Sequence, residues 1–292
     1  VWDDYSKYLL GGAFLLLVVV LIPGIGYEVN GSRRWIRLGF MNFQVSEATR
    51  VMLLMYVASY AVRRSDELRS DFRSFMVPVG VLAAAALLLL GEPDFGAATV
   101  LFATGLGVLF LAGARIVHLL VPVVAGSIGL AVLAVVSPYR LRRLTGFLDP
   151  WGDPFDSGFQ LVQSLIAIGR GEWLGVGLGA SVQKLFYLPE AHTDFVFAVL
   201  AEEFGFLGVT VVVALFALLV TRALMISREA AQAGQAYQSY VAAAIGIWLG
   251  LQAFVNIGVN MGLLPTKGLT LPLLSYGGSS MLVTLGWIGV LL

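Results

Sequence analysis

Apolar runs of about 18 to 25 residues, broken by charges, glycine and proline, recur along most of the chain, and about 20 helical residues cross a bilayer core. They predict about eight spans, at 8–27, 45–62, 75–91, 96–113, 116–136, 195–220, 239–262 and 269–291. The long connection, residues 137–194, lies between the fifth and sixth spans. A segment of that length in a compact protein usually carries function. Inside it Ser157 and Gln160 form a capping-box pair ahead of Phe159, Leu161, Val162, Leu165, Ile166 and Ile168, and Gly169 and Gly171 end the run. At about twelve residues this amphipathic helix cannot span, so it lies at the interface or dips back against the bundle, unless it is a plain surface helix. The expected fold is an all-α polytopic transmembrane bundle, one domain over residues 1–292, with 137–194 as a long extracytoplasmic loop.

Composition agrees: 59% of residues are hydrophobic, 12% are charged and the mean hydropathy is +0.88, against roughly 25% charged residues in soluble domains. Eighteen basic and eighteen acidic side chains balance, leaving no bulk field to attract nucleic acid. Cysteine is absent, which excludes disulfide and thiol chemistry. Asp3, Asp4 and Lys7 lead into an apolar run without a small-residue cleavage site, a poor fit to a removable signal peptide. Basic residues do not set the orientation cleanly. The dense loop holding Arg63, Arg64, Arg69 and Arg73 argues for the cytoplasmic side. That puts Arg33, Arg34, Arg37, Arg140, Arg142, Arg143, Arg170, Lys184 and Lys267 outside, where an anionic ligand or anionic head groups would account for them.

Ionisable groups within spans are costly unless they face a partner or a cavity, which singles out Glu47, Arg50, Glu202 and Glu203. Glu47 and Arg50 share a helix face and either neutralise each other or line a polar cavity. Glu202 and Glu203 diverge by about 100°, so at most one aims at any single site. Gln252, Asn256 and Asn260 form a polar stripe at spacings of four, expected, with Gly246, Gly250, Gly258 and Gly262, to serve helix packing. Glu190, His192 and Asp194 sit just before an apolar run, where a carboxylate could take a proton from a sugar hydroxyl; Asp194 is equally suited to capping the helix that follows. Pro265, Lys267, Pro272, Ser275, Gly277 and Gly278 mark a final hairpin of irregular backbone, a cavity wall or simply a kinked helix start. Walker, HExxH and GxSxG motifs are absent, and Gly175-Val-Gly-Leu-Gly179 lacks the preceding strand of a dinucleotide site.

Several segments resemble one family, the SEDS (shape, elongation, division, sporulation) proteins. They are Ser32-Arg-Arg-Trp-Ile-Arg-Leu-Gly39, Glu92-Pro-Asp-Phe-Gly96, Pro150-Trp-Gly-Asp-Pro-Phe155, Gly158-Phe-Gln-Leu-Val-Gln-Ser164, Leu188 to Phe195, Glu202-Glu-Phe-Gly205, Leu264-Pro-Thr-Lys-Gly-Leu-Thr-Leu-Pro272 and Ser275-Tyr-Gly-Gly-Ser279. The final hairpin is more like the division members than the elongation members. The resemblance implies about ten spans, of which this chain would begin at the third. It also implies an inverting glycosyltransferase that polymerises lipid II at the division septum of the bacterial cytoplasmic membrane. Its expected partners are a class B penicillin-binding protein and other divisome membrane proteins. Asp194 is then the catalytic residue, with Arg34, Arg50, Lys267, Pro265, Glu47, His192, Glu190 and Ser275 toward substrate. Arg50 and Glu92 stand where relatives often have Lys and Gln, and Arg and Lys are not equivalent at a bidentate site. A divalent cation, Mg²⁺ or Mn²⁺, could accompany the pyrophosphate. Two rivals are a transporter of the same lipid, which needs no general base, and a non-catalytic scaffold that activates the penicillin-binding protein.

Overall fold

The computed structural model describes residues 3–29, 32–37, 39, 41–135, 145–156, 158–185, 187–266 and 268–292. Ser157, Lys267, Arg140, Arg142 and Arg143 fall outside them. Helices are α1 (Ser6–Leu21), α2 (Val45–Arg63), α3 (Ser65–Ser70), α4 (Phe72–Gly91), α5 (Phe95–Leu111), α6 (Ile116–Val135), α7 (Phe159–Gly171), α8 (Val196–Gln232), α9 (Ala236–Asn260) and α10 (Gly278–Leu291). Each expected span is matched by a helix, and α4, α8 and α9 are long and apolar enough to cross a membrane by length and composition. The chain is a polytopic helical membrane protein.

Two boundaries differ from expectation, for local reasons. The first helix stops at Leu21, because Pro23 and Gly24 turn the chain into a small antiparallel sheet of β1 (Gly26–Val29), β2 (Ser32–Arg37) and β3 (Asn42–Gln44). This sheet, unforeseen in an all-α reading, pairs Tyr27 with Trp35 and Ile36 with Phe43. Helix α10 begins only at Gly278, leaving 269–277 irregular around Pro272 and a left-handed Leu273. Helix α7 begins at Phe159 with Gly158 at its cap position; the expected Ser157–Gln160 capping box involves Ser157, which lies outside the described residues.

The chain divides into two compact units, one of residues 1–123, 219–249 and 278–292, the other of 124–218 and 250–277. In the first, α1 packs on α2 through Ala13, Leu17 and Val20, all fully buried, and Ser59 Oγ donates to Ser6 Oγ at 2.9 Å. Lipid tails are as apolar as leucine, so close fit rather than hydrophobic transfer drives such packing. Gly105 of α5 shows this: a Cβ there would stand 2.4 Å from Leu82 Cδ1 of α4. In the second unit the apolar face of α7 packs on Leu188, Ala191, Phe195 and Ala198, with Ala167 at the centre. The amphipathic helix therefore dips against the protein. It supports the segment that leads into α8.

Candidate active site

The segment before α8 closes in a tight turn. Glu190 is left-handed (φ 55°), and its carbonyl accepts from Thr193 N at 3.1 Å and Phe195 N at 3.2 Å. Its carboxylate accepts from Thr193 Oγ1 at 2.7 Å. Helix α8 starts at Val196, which puts its cap position at Phe195, one residue past Asp194. The first-turn amide of Ala198 is bonded to Asn260 Oδ1 at 3.2 Å. One first-turn amide of α8 is thus met by a side chain from α9.

Asp194 is half-buried, and its main chain is held from two sides. Asn256 Nδ2 and Asn260 Nδ2 both donate to the Asp194 carbonyl, at 2.9 and 3.0 Å. Ser275 Oγ donates to the Thr193 carbonyl at 2.6 Å, and Tyr276 N to the His192 carbonyl at 2.8 Å. The carboxylate lies against Gly268, where a Cβ would come within 3.0 Å of Oδ2. The structure thus brings Glu190, His192, Asp194 and Ser275 together. His192 is exposed and Pro265 half-buried in the connection after α9.

A second acidic cluster follows in the same unit. The fully buried Glu202 accepts from Ser181 Oγ (2.6 Å), Val182 N (3.1 Å), Gln183 N (3.3 Å) and Arg170 Nη1 (3.3 Å). Glu203 pairs with Lys184. Both carboxylates meet the loop before Asp194 but bind different groups in it, and just beyond them the backbone breaks at Gly205 (φ 63°, ψ −163°). That conformation is open essentially only to glycine. The break lets Val176 N and Gly177 N donate to the carbonyls of Glu202 and Glu203, at 2.9 and 3.1 Å. The glycine run 175–179, useless as a dinucleotide loop, is the partner of this break.

The first unit gathers Arg34, Glu47, Arg50, Glu92 and Asp94 around the start of α2 and the α4–α5 turn. Arg34 donates from Nε to the Glu92 carbonyl at 3.0 Å and from Nη2 to the Pro93 carbonyl, with Nη1 3.9 Å from Asp94 Oδ2. Asp94 is thus its ion-pair partner at the long end of such contacts. Asp94 Oδ1 caps α5 by accepting from Ala97 N at 3.0 Å. Glu47 and Arg50 form the expected ion pair at 3.4 Å, both nearly inaccessible, and the guanidinium lies 5.4 Å from the Trp248 ring centroid. Glu92 is fully buried and neither carboxylate oxygen has a hydrogen-bond partner among the described residues. Burial, with the neighbouring Asp94 adding and Arg34 opposing, pushes its carboxyl up to about 8.

Among the described residues no three His, Asp or Glu side chains converge as metal ligands. Sequence reasoning missed two things: Glu92 as a buried unsatisfied acid, and the Asn256–Asn260 stripe as a clamp on main chain. The stripe's spacing was visible in the sequence. Its partner was not, because a carbonyl 62 to 66 residues away leaves no pattern.

The FtsW–RodA–SpoVE cell cycle protein family matches this chain over residues 1–292. The chain is 58% identical over 291 residues to a probable peptidoglycan glycosyltransferase FtsW of Thioalkalivibrio sulfidiphilus, covering all of this chain and 73% of that protein. A protein of the same name from Nitrosococcus halophilus is 59% identical over 283 residues, covering 97% of this chain and 73% of its own length. A solved structure of a peptidoglycan synthase complex that coordinates polymerisation and crosslinking aligns with a TM-score of 0.81 and 32% identity, over 99% of this chain and 80% of that one. The crystal structure of the rod shape determining protein RodA of Thermus thermophilus aligns at 0.71 and 30%, over 99% of this chain and 77% of that one.

Proposed function

Because the chain belongs to the FtsW–RodA–SpoVE cell cycle protein family and is a peptidoglycan glycosyltransferase, we propose that it polymerises lipid II with Asp194 as the general base. Asp194 takes the proton of the acceptor sugar's hydroxyl as that oxygen attacks the donor's anomeric carbon. The new glycosidic C–O bond forms, the bond from that carbon to the pyrophosphate oxygen breaks, and the lipid pyrophosphate leaves with the electron pair. Attack opposite the leaving group inverts the anomeric centre. Lys267 stabilises charge on the departing pyrophosphate, an effect expressed more in turnover than in ground-state binding, and the family resemblance assigns Arg34 and Arg50 to the same substrate. Glu47 holds Arg50. A divalent cation, Mg²⁺ or Mn²⁺, would add positive charge at the pyrophosphate if it came with the substrate.

The observation that carries this reading is the turn at 190–195: it is built around Asp194 by main-chain bonds, while the capping duty on Ala198 is met by Asn260. The neighbouring complex that couples polymerisation to crosslinking supports a class B penicillin-binding protein as partner, within the division machinery at the septum of the cytoplasmic membrane. The test is polymerisation of fluorescent lipid II by the full-length protein assembled with that partner, the products sized on a gel. Glycan strands of many units are expected. Lipid moved across vesicles with no polymer in any condition would favour a transporter, and polymer formed only by a separate polymerase would favour a scaffold.

A further inference from the structure

Three consecutive carbonyls, of His192, Thr193 and Asp194, each accept a hydrogen bond from α9 or the final connection. The donors are themselves fixed. Asn256 and Asn260 are 2% and 0% exposed, and Asn260 Nδ2 also donates to the Asn256 carbonyl at 2.9 Å. Asn256 Nδ2 reaches the Leu269 carbonyl at 2.5 Å, beside Gly268. The Ser275 hydroxyl, while donating to Thr193, accepts from Leu271 N at 2.7 Å. The same few side chains therefore hold the peptide planes on which Asp194 stands and the strand of chain against which its carboxylate lies.

Asn260 has a further property that packing alone does not require. Its Nδ2 donates to the carbonyl of Asp194 while its Oδ1 accepts from the amide of Ala198, so it ties the end of the turn to the first turn of α8. Only a carboxamide offers a donor and an acceptor in that arrangement; aspartate lacks the donor and leucine lacks both. Three pinned carbonyls remove most of the φ/ψ freedom of residues 192–194 and fix the direction in which the Asp194 Cα–Cβ bond points. A base must lie within about 2.6–3.2 Å of the atom it deprotonates, and a misplacement of about 1 Å costs roughly 100-fold in rate.

We infer that Asn256, Asn260 and Ser275 are positioning residues for the glycosyl transfer, setting the place of Asp194 through its backbone without touching substrate. This rests on the reading of Asp194 as the base. Steady-state polymerisation by the full-length protein with its transpeptidase partner separates the cases, each variant also being assayed for thermal stability and partner assembly. Asn256→Leu is expected to lower kcat about 10- to 100-fold with KM for lipid II within about twofold of wild type. Ser275→Ala, the gentler change, is expected to lower kcat about 3- to 10-fold, and Ser275→Thr, which keeps the hydroxyl, to restore it. In an Asp194→Glu background, where the carboxylate is already displaced, adding Asn256→Leu should cost much less than it does alone. Losses that follow the folded fraction, or that fall on KM, would overturn positioning and leave packing. Wild-type kcat for both Asn256→Leu and Ser275→Ala beside an inactive Asp194→Asn would also overturn it while sparing the base. An active Asp194→Asn would instead remove the base reading itself.

Discussion

Asp194 and Glu202 belong to the same unit, on adjoining stretches of chain, and are held in opposite ways. Glu202 is gripped by its carboxylate, which accepts from two main-chain amides, a hydroxyl and a guanidinium. Asp194 is gripped by its main-chain carbonyl, with its carboxylate lying over a glycine. A carboxylate with that many donors is an architectural part, since losing any donor would strand a buried charge. An acid oriented from behind suits the role proposed for Asp194. Among buried acids, then, the route by which the fold holds the residue says more about its role than burial does. Glu92 is the intermediate case, buried but without hydrogen-bond partners for its carboxylate among the described residues.

The strongest test of the contrast on the structural side is Glu202→Ala. It leaves Arg170, Ser181 Oγ, Val182 N and Gln183 N without their acceptor, and should cost about 3–5 kcal/mol. Thermal unfolding in detergent should show a large fall in Tm, with polymerisation declining only as the folded fraction does. A variant with wild-type Tm but no activity would move Glu202 into the chemistry and break the comparison.

A smaller effect of the opposite kind is expected from Gly268→Ala. The new Cβ would press on Asp194 Oδ2 at 3.0 Å, a contact tight enough to shift the carboxylate by a few tenths of an ångström. Polymerisation should slow by about tenfold with Tm nearly unchanged, since exposed positions away from buried charges seldom alter stability by more than about 0.5 kcal/mol. A lower Tm at full activity would mean that the carboxylate's place is not what limits turnover.

The smallest effect is Glu92→Gln, read as a dependence on pH. Because its carboxyl in the folded protein titrates at about 8, above the usual glutamate value of about 4.3, the folded state binds the proton more tightly than the unfolded chain. The stability this confers is fully present below about pH 4.3 and is lost as pH rises through about 8. The glutamine variant should match wild type near pH 5 and exceed it in Tm near pH 9. Equal Tm values at both pH extremes would show that Glu92 is solvated or partnered when ionised.

How much of this was legible in the sequence depended on whether the physics was local. Every span followed from hydrophobic run length, and α7 from its amphipathic period, because a helix satisfies its own backbone. The Glu47–Arg50 pair followed from a spacing of three on one helix. The β1–β3 sheet was not legible: its strands are only 3 to 6 residues long, too short for a period of two to show among apolar runs. Glu202 was recognised as costly, but its donors, Arg170 and residues 181–183, lie on α7 and in the loop after it, and no sequence pattern links them to it. Asp194 entered through a family resemblance, since its residue type fits a cap as well as a base. What bears on those roles is an acceptor far along the chain, Asn260 Oδ1, which takes the Ala198 amide.

The central claim, that Asp194 acts through its carboxylate while its backbone carries the architecture, is tested most directly by Asp194→Asn in the full-length protein with the proposed transpeptidase partner. The side chain keeps its size and the carbonyl keeps both asparagine donors, so Tm and partner assembly should match wild type. Lipid II polymerisation should fall by about 100-fold or more as the base is lost. Polymer made at the wild-type rate by a normally folded Asp194→Asn protein would contradict the account.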